Sequence, residues 1–395
     1  MKFKKILSFL CAATLCFSMT ACGKEDTKKT TKKEETENEK EVVQEIRDIP
    51  STELVKEMSI GWNLGNTLDA TGSGLEAETY WQSTTTTKEM IDLLKTSGFN
   101  VLRVPTTWEG HMDDEGNIDV EWMDRVQEIV DYGIDNDLFV ILNIHHEEWH
   151  FPSNKDLDAK KAKLKKVWEQ IAERFKNYDE HLIFEGLNEP RKKGTNVEWN
   201  GGDREGQDVV NQFNAVFVET VRNSGGNNKL RHLMIPTYAA SSSSSAMKAF
   251  KMPDENDDKL IVSVHGYAPY NFALNTKGTA EWSVDNAADT NAIDQIFRDI
   301  ENYFLYEGYA VIIGEFGSIN KLVNTSITGD NTEDRIAHAE YYMKKAKEYG
   351  IPCVWWDNHA FVGNGENFGL MDRGATPPCW KFPEIVTALT GVEVE

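Results

Sequence analysis

From about residue 49 onward, short runs of β-branched and aromatic residues alternate with longer stretches whose apolar positions recur at helical spacing. The short runs cover 60–62, 101–105, 139–146, 182–188, 232–237, 260–265, 310–315 and 353–357, and they have the character of buried parallel strands. The helical patterns cover 88–96, 120–136, 156–176, 206–224, 245–250, 290–306, 331–349 and 382–390. The fifth is short, and 241–245 also suits a plain loop. Strands and helices in alternation predict a parallel α/β fold, and eight such units make a (β/α)8 TIM barrel. A doubly wound open sheet is the alternative. It expects a glycine-rich phosphate turn after the first strand, which Gly61-Trp62-Asn63-Leu64-Gly65-Asn66 does not match.

The N-terminal segment has a different pattern. Met1-Lys2-Phe3-Lys4-Lys5 is basic, and 6–17 is apolar apart from small or hydroxylated residues. That run is shorter than the roughly 20 residues a membrane-spanning helix needs. It predicts a signal peptide over 1–21 and export from the cytoplasm. Small residues before Cys22-Gly23 resemble the lipobox of bacterial lipoproteins, which implies acylation of Cys22 and an anchor on the outer face of the cell membrane. An ordinary secretory signal with an incidental cysteine is the alternative. Residues 24–41 are all Lys, Glu, Asp, Thr or Asn and cannot bury enough surface to offset their ordering entropy. A disordered tether is therefore expected over 22–48 and a catalytic domain over 49–395.

The chain has 395 residues, with 42 Lys and Arg against 65 Asp and Glu, a formal charge of -23. Such a surface repels nucleic acid and anionic lipid but not a neutral polymer. After Cys22 only Cys353 and Cys379 remain, too few for a disulfide scaffold, and the sequence leaves their pairing open. A monomer is expected.

Polar and aromatic residues gather where the strands end: Asn66, Arg103, His145 and His146, Asn188 and Glu189, His265 and Tyr267, Glu315, then Trp355 and Trp356. In a TIM barrel these ends converge on the mouth where active sites lie. Glu189 and Glu315 each follow an apolar run and precede Pro or Gly punctuation, and a carboxylate pair is the equipment for cleaving a glycosidic bond. Retention of configuration needs the two about 5–5.5 Å apart. Arg103 lies in an apolar strand where an unpaired guanidinium is costly, so it is expected to hold Glu315 bidentately, or else to pair with another carboxylate. Asn188 is expected to donate to a sugar 2-hydroxyl, the alternative being an Asx turn before Pro190. The run from His145 to His150 holds three imidazoles and two carboxylates, but it follows a strand, lacks the His-Glu-x-x-His spacing of a helical zinc site and has no cysteine cluster. No metal and no organic cofactor are expected. His145 or His146, with His265 and Tyr267, more simply line the cleft, Tyr267 donating to Glu315. Satisfied core histidines and a core-edge tyrosine are the bland reading.

The motifs Gly61-Trp62-Asn63-Leu64-Gly65-Asn66-Thr67, Asn143-Ile144-His145-His146, Phe184-Glu185-Gly186-Leu187-Asn188-Glu189-Pro190-Arg191, Val264-His265-Gly266-Tyr267-Ala268-Pro269-Tyr270 and Ile313-Gly314-Glu315-Phe316-Gly317 resemble glycoside hydrolase family 5. The resemblance runs from about Met58 to Trp380, and is greatest to the endoglucanase and xyloglucanase subfamily numbered four. It implies that Glu189 is the proton donor and later base, Glu315 the nucleophile, His145 the cleft histidine and His146 a sugar contact. Glu189 must then stay protonated near neutrality, which burial and the charge of Glu315 are expected to achieve. Gly266 departs from the family pattern, since relatives often carry a larger residue there.

Eleven tryptophans are many for this length, and flat rings stack on pyranose faces. Trp356, at the eighth strand end, is the first choice as a sugar platform, followed by Trp149 and Trp62. The resulting expectation is a secreted, lipid-tethered endo-β-1,4-glucanase acting by double displacement on cellulose, mixed-linkage β-glucan or xyloglucan. A β-mannanase on the same frame, a non-catalytic lipid-anchored glycan-binding protein and a metal-dependent barrel hydrolase are the alternatives.

Overall fold

A computed structural model describes residues 43–323 and 329–394. The signal segment, Cys22 and the tether as far as residue 42 lie outside the described residues. In chain order the elements are α1 Ser51–Leu54, β1 Ile60–Leu64, α2 Lys88–Thr96, β2 Val101–Val104, α3 Val120–Ile134, β3 Phe139–Asn143, α4 Leu157–Arg174, β4 Leu182–Glu185, α5 Arg204–Asn223, β5 Leu233–Ser241, α6 Ser244–Ala249, β6 Leu260–His265, α7 Tyr270–Ala273, α8 Ala287–Tyr303, β7 Ala310–Phe316, α9 Thr332–Tyr349, β8 Cys353–Asp357, β9 Met371–Asp372, β10 Cys379–Trp380 and α10 Pro383–Thr390. Strands β1 to β8 pair in sequence order, and β8 pairs parallel with β1, closing a (β/α)8 TIM barrel.

Period-two alternation along the strands sorts residues between two layers. Outward-facing Ile60, Trp62, Leu102, Val104, Val140 and Phe184 pack under the helices. Inward-facing Val101, Ile141, Ile183, Met234, Ile261, Ile312 and Val354 fill the lower barrel, closed from below by Leu54, Val55 and Met58. One inward step higher the composition changes to Asn63, Arg103, Asn143, Glu185 and Ser263, all fully buried. This polar layer is the floor of the mouth.

Several element limits differ from expectation. β3 and β4 end at Asn143 and Glu185, so His145, Asn188 and Glu189 sit on loops just above the sheet. β5 runs on to Ser241 through a register shift, with Ala239 and Ala240 at positive φ. The ambiguous fifth helix exists as α6, and the small β9–β10 hairpin had no sequence signal. The chain already docks on the barrel at Gln44, whose N–H donates to Asn177 O at 2.9 Å, and Arg47 pairs with Glu180 and Glu57, so ordered contact begins a few residues before position 49. Cys353 is buried, Cys379 exposed, and both are free. Among the described residues no helix is long and apolar enough to cross a membrane.

Candidate active site

Glu315 owes its direction to a bulge. Val264 pairs with Ile313 but His265 pairs with Glu315, so Gly314 is an extra residue on β7. The bulge turns Glu315 inward, level with His265, whereas strict alternation would point it at the helices.

Arg103, fully buried, is the hub beneath it. Its Nε donates to Glu185 Oε2 (2.8 Å), one terminal nitrogen donates to Asn188 Oδ1 (2.7 Å), and the other to both Asn63 Oδ1 (2.8 Å) and Glu315 Oε1 (2.8 Å). The expected bidentate grip on Glu315 is therefore a single N–H contact, because Arg103 divides its donors among four acceptors. Burial pulls the guanidinium's pKa down, but Glu185 and Glu315 outweigh it and the net direction is up, so Arg103 stays charged. Glu185 also accepts from Ser263 Oγ (2.7 Å) and Asn143 Nδ2 (3.0 Å). Sequence reasoning gave Glu185 no role. Its signal was a lone acid inside an apolar strand, facing the same way as the isolated Arg103.

Above this floor, Glu315 Oε2 accepts from the Tyr267 hydroxyl at 2.8 Å, as expected. His265 Nδ1 lies 2.8 Å from Glu189 Oε1 and 3.6 Å from Glu315 Oε2. One oxygen of Glu189, one of Glu315 and a ring nitrogen of His265 all fall within 4.8 Å of one another. So close an approach of two carboxylate oxygens suits the 5–5.5 Å spacing of retention better than the 6.5–9.5 Å of inversion. Asn188 spends its carbonyl on Arg103, which leaves its amide N–H groups as the face that can donate to a ligand.

The proton balance differs from expectation. Burial does push the Glu189 carboxyl up, but the hydrogen bond and charge of His265, with Arg191 and His146, outweigh it and leave the carboxyl below its ordinary range. His265 moves the opposite way: burial opposes its charge, yet Glu315 and Glu189 together raise its pKa. Both shifts favour the proton of the 2.8 Å contact on His265 over Glu189.

His145 is buried and accepts from Asn143 Nδ2 through Nδ1 (3.1 Å), which fixes a neutral ring with its proton on Nε2; burial depresses its pKa well below the usual value. It lies parallel to Trp356, centroids 5.8 Å apart. His146 is half-buried, pushed down to about 4 by burial, and its ring is 5.5 Å from that of Trp81. Asn66 sits in the turn after β1 at φ 58°, its N–H on Asp69 Oδ2 (3.0 Å), and Asp69 groups with His145 and His146.

Of the tryptophan choices, Trp62 needs correction. Trp62 is fully buried in the outer layer, with Nε1 on Asp357 Oδ2 (2.9 Å) and the Arg373 guanidinium over its ring, so no face is open to sugar. Trp149 is held by Glu147 and covered by Lys163, 5.2 Å from its centroid. Trp356 does border the mouth, but is only 9% exposed among His145, Ile319 and Phe368. The open rings are Trp81 (42%) and Trp199 (60%), on loops after β1 and β4. Gly266 has a steric reason: a Cβ there would lie 2.2 Å from the buried Tyr342 hydroxyl.

A closed (β/α)8 barrel carrying two carboxylates within 4.8 Å of each other at the mouth, one held by arginine and tyrosine, has the architecture of a glycoside hydrolase. Residues 66–362 match the model of the cellulase family, glycosyl hydrolase family 5, and the chain belongs to that family; it is a glycoside hydrolase. It is 52% identical over 337 residues to Endoglucanase 1 of Ruminococcus albus, covering 85% of this chain and 79% of that one. With Endoglucanase B of Neocallimastix patriciarum it shares 48% over 87% of this chain and 72% of the other. Among solved structures, a GH5-4 broad specificity endoglucanase from Ruminococcus champanellensis with bound cellotriose superposes with a TM-score of 0.82 at 47% identity, covering 88% of this chain and all of the other. A family 5 lichenase from Caldicellulosiruptor sp. F32 gives 0.81 at 41% identity over 90% of this chain and 98% of its own.

Proposed function

We infer that the protein is a retaining endo-β-1,4-glucanase acting on cellulose, mixed-linkage β-glucan or xyloglucan, exported and held at the cell surface by a lipid on Cys22. The observation that carries the reaction is the approach of Glu189 and Glu315 within 4.8 Å around His265. The endoglucanase and lichenase names of its relatives support a β-glucan as substrate. The lipobox-like junction at Cys22 supports the anchor.

In this reading Glu315, held and oriented by Arg103 and Tyr267, attacks the anomeric carbon while Glu189 protonates the departing oxygen. The proton comes from the store shared with His265: as substrate excludes water, the neutral His265–Glu189 arrangement gains over the charged one, and the acid is loaded. Once Glu315 is esterified, the largest electrostatic support for a charged His265 is gone. The shared proton has by then left with the departing oxygen, the pair has no such support for taking up another, and Glu189, now a carboxylate, accepts one from the attacking water in the second displacement.

The test is viscosity loss and reducing-end release on carboxymethylcellulose, barley β-glucan, xyloglucan and glucomannan, with and without EDTA, for the wild type and Glu315→Gln. Rapid thinning of a glucan that vanishes in the variant supports the reading, and the fastest polymer names the substrate. Cleavage confined to glucomannan would favour a mannanase. Dependence on EDTA would point to a cation at one of the two residue groups spaced to hold one, Glu189–His265–Glu315 or Asp69–His145–His146. Loss of membrane attachment in Cys22→Ala tests the anchor.

A further inference from the structure

Four arginines are buried among the described residues, and three of them find their partners within the fold. Arg103 divides its donors among two carboxylates and two amides, and Arg373 pairs with Asp357 and reaches Gly65 O and Thr67 Oγ1. Arg231 forms no ion pair among the described residues, but its nitrogens meet five acceptors. Arg335 is the exception. It is fully buried, its Nε donates to Ser318 O (3.1 Å), and neither of its terminal nitrogens has a hydrogen-bond partner.

No carboxylate pairs with Arg335 among the described residues. Asp357 is taken by Arg373, Asp330 accepts from the N–H and hydroxyl of Thr332, Asp334 accepts from Trp282 N, and Glu333 is exposed. The flanking rings of Phe382 and Trp355, 4.8 and 6.0 Å from its guanidinium carbon, offer π faces but no negative charge. A buried charge without a counter-charge is costly, and although burial pulls the guanidinium's pKa down to about 9, the group is still charged at neutral pH. Two further features favour an anion. Ser318 is fully buried as well, and its hydroxyl, on the residue that accepts from Arg335, has no partner. Arg335 stands in the first turn of α9, where side chains lean toward the helix N-terminus; the helix dipole adds positive potential there, and no side chain caps that end.

We propose that the terminal nitrogens of Arg335 and the hydroxyl of Ser318 bind a small monovalent anion, chloride or a small carboxylate, between the start of α9 and the end of β7. One negative charge matches one guanidinium, whereas a divalent anion would carry an unpaired charge into the interior. The site contains neither Glu189 nor Glu315, and it goes beyond the glucanase reading without resting on it. The bound anion holds the segment after β7 against α9, and because it binds the folded chain alone it stabilises that state by mass action. Its influence reaches the nucleophile through packing: Trp355 meets Phe316, the neighbour of Glu315, with ring centroids 5.5 Å apart.

The experiment measures Tm of the full chain at pH 7 and fixed ionic strength in sodium gluconate, sodium chloride and sodium acetate, and locates bromide by anomalous diffraction in soaked crystals. Chloride is expected to raise Tm saturably by about 2–4 °C over gluconate. A rise in acetate without one in chloride assigns the same site to a small carboxylate. In Arg335→Met the salt dependence disappears, whatever the variant's own Tm. Ser318→Ala keeps the dependence but needs several times more anion to reach it. Bromide lies within hydrogen-bonding reach of the Arg335 terminal nitrogens and Ser318 Oγ. Identical Tm in all three salts, a dependence that survives Arg335→Met, or bromide bound only elsewhere overturns the site. Should Arg335→Met fail to fold, the wild-type salt series and the position of bromide decide.

Discussion

His265 Nδ1 bridges to Glu189 Oε1 at 2.8 Å, and this contact decides where the acid's proton is stored. Because Glu315 and Glu189 raise the imidazole's pKa while His265 lowers the carboxyl's, the pair keeps its shared proton to a higher pH than a lone glutamate would. Removing the imidazole leaves Glu189 to hold the proton by burial alone, against Arg191 and His146. In His265→Gln the alkaline limb of kcat/KM is therefore expected to move acidward by about one pH unit or more, with kcat lowered roughly 10²-fold. A limb that stays in place, measured on a soluble glucan from pH 4 to 9, would sink the shared-proton account.

Arg103 pairs with two buried carboxylates at once, so its loss strands both. Breaking a buried charge network by deleting one partner costs about 3–5 kcal/mol, and here the nucleophile also loses its orienting donor. Arg103→Met is expected to lower the denaturation midpoint and to cut kcat at least about 10³-fold. Glu185→Gln makes the comparison sharper. It leaves the reacting carboxylates in place, so it should cost stability of the same order but a smaller share of kcat. Equal stability of Arg103→Met and wild type in urea titration would refute the hub.

Much of this site was legible because chemistry and geometry coincide at strand ends: apolar runs closing on Glu189 and Glu315 pointed to the fold class and to a meeting of the two carboxylates at its mouth together. What escaped notice followed from finer registers. Trp62 looked like a cleft residue by its place at a strand end, yet it stands between inward-facing Asn63 and Gly61, and alternation alone sends it outward under the helices. The inward turn of Glu315 needs the Gly314 bulge, which no local pattern announces. Trp81 and Trp199 lie on long loops whose path depends on distant ion pairs such as Arg191–Glu198, so nothing in their own neighbourhoods marked them as the exposed rings.

Buried neutral histidines set the response to acid. Burial pushes His111, His146, His150 and His338 down to about 4 and His232 to about 3, against about 6.5 in the unfolded chain. Between those values the unfolded state binds more protons, so stability is full above about pH 6.5 and falls as pH drops toward 4. Asp69 and Glu147, raised by burial to about 7, work in the opposite sense across much of the same window, but five groups outweigh two. Calorimetry should find Tm about 5–10 °C lower at pH 4.5 than at pH 7. A Tm that rises on acidification would show that the two acids dominate.

Gly266 and Tyr342 are sterically coupled, and the coupling reaches the nucleophile. The Tyr342 hydroxyl donates to Gly266 O at 2.9 Å, and the Tyr342 ring stacks on Phe316, the neighbour of Glu315, at 4.4 Å. A Cβ at 266 would lie 2.2 Å from that hydroxyl and 3.5 Å from Ile313 Cγ2, so only the oxygen is in the way. Gly266→Ala is expected to cost about 1–3 kcal/mol by overpacking and to lower kcat as Phe316 shifts. Tyr342→Phe removes the obstructing atom and leaves the Gly266 carbonyl without its donor, a loss of about 1 kcal/mol. In the double variant the two costs should fall short of their sum by about 1 kcal/mol or more, with kcat partly recovered. Strict additivity in urea titrations would mean that Tyr342 yields freely to the new methyl group, and that Gly266 is present for some reason other than this contact.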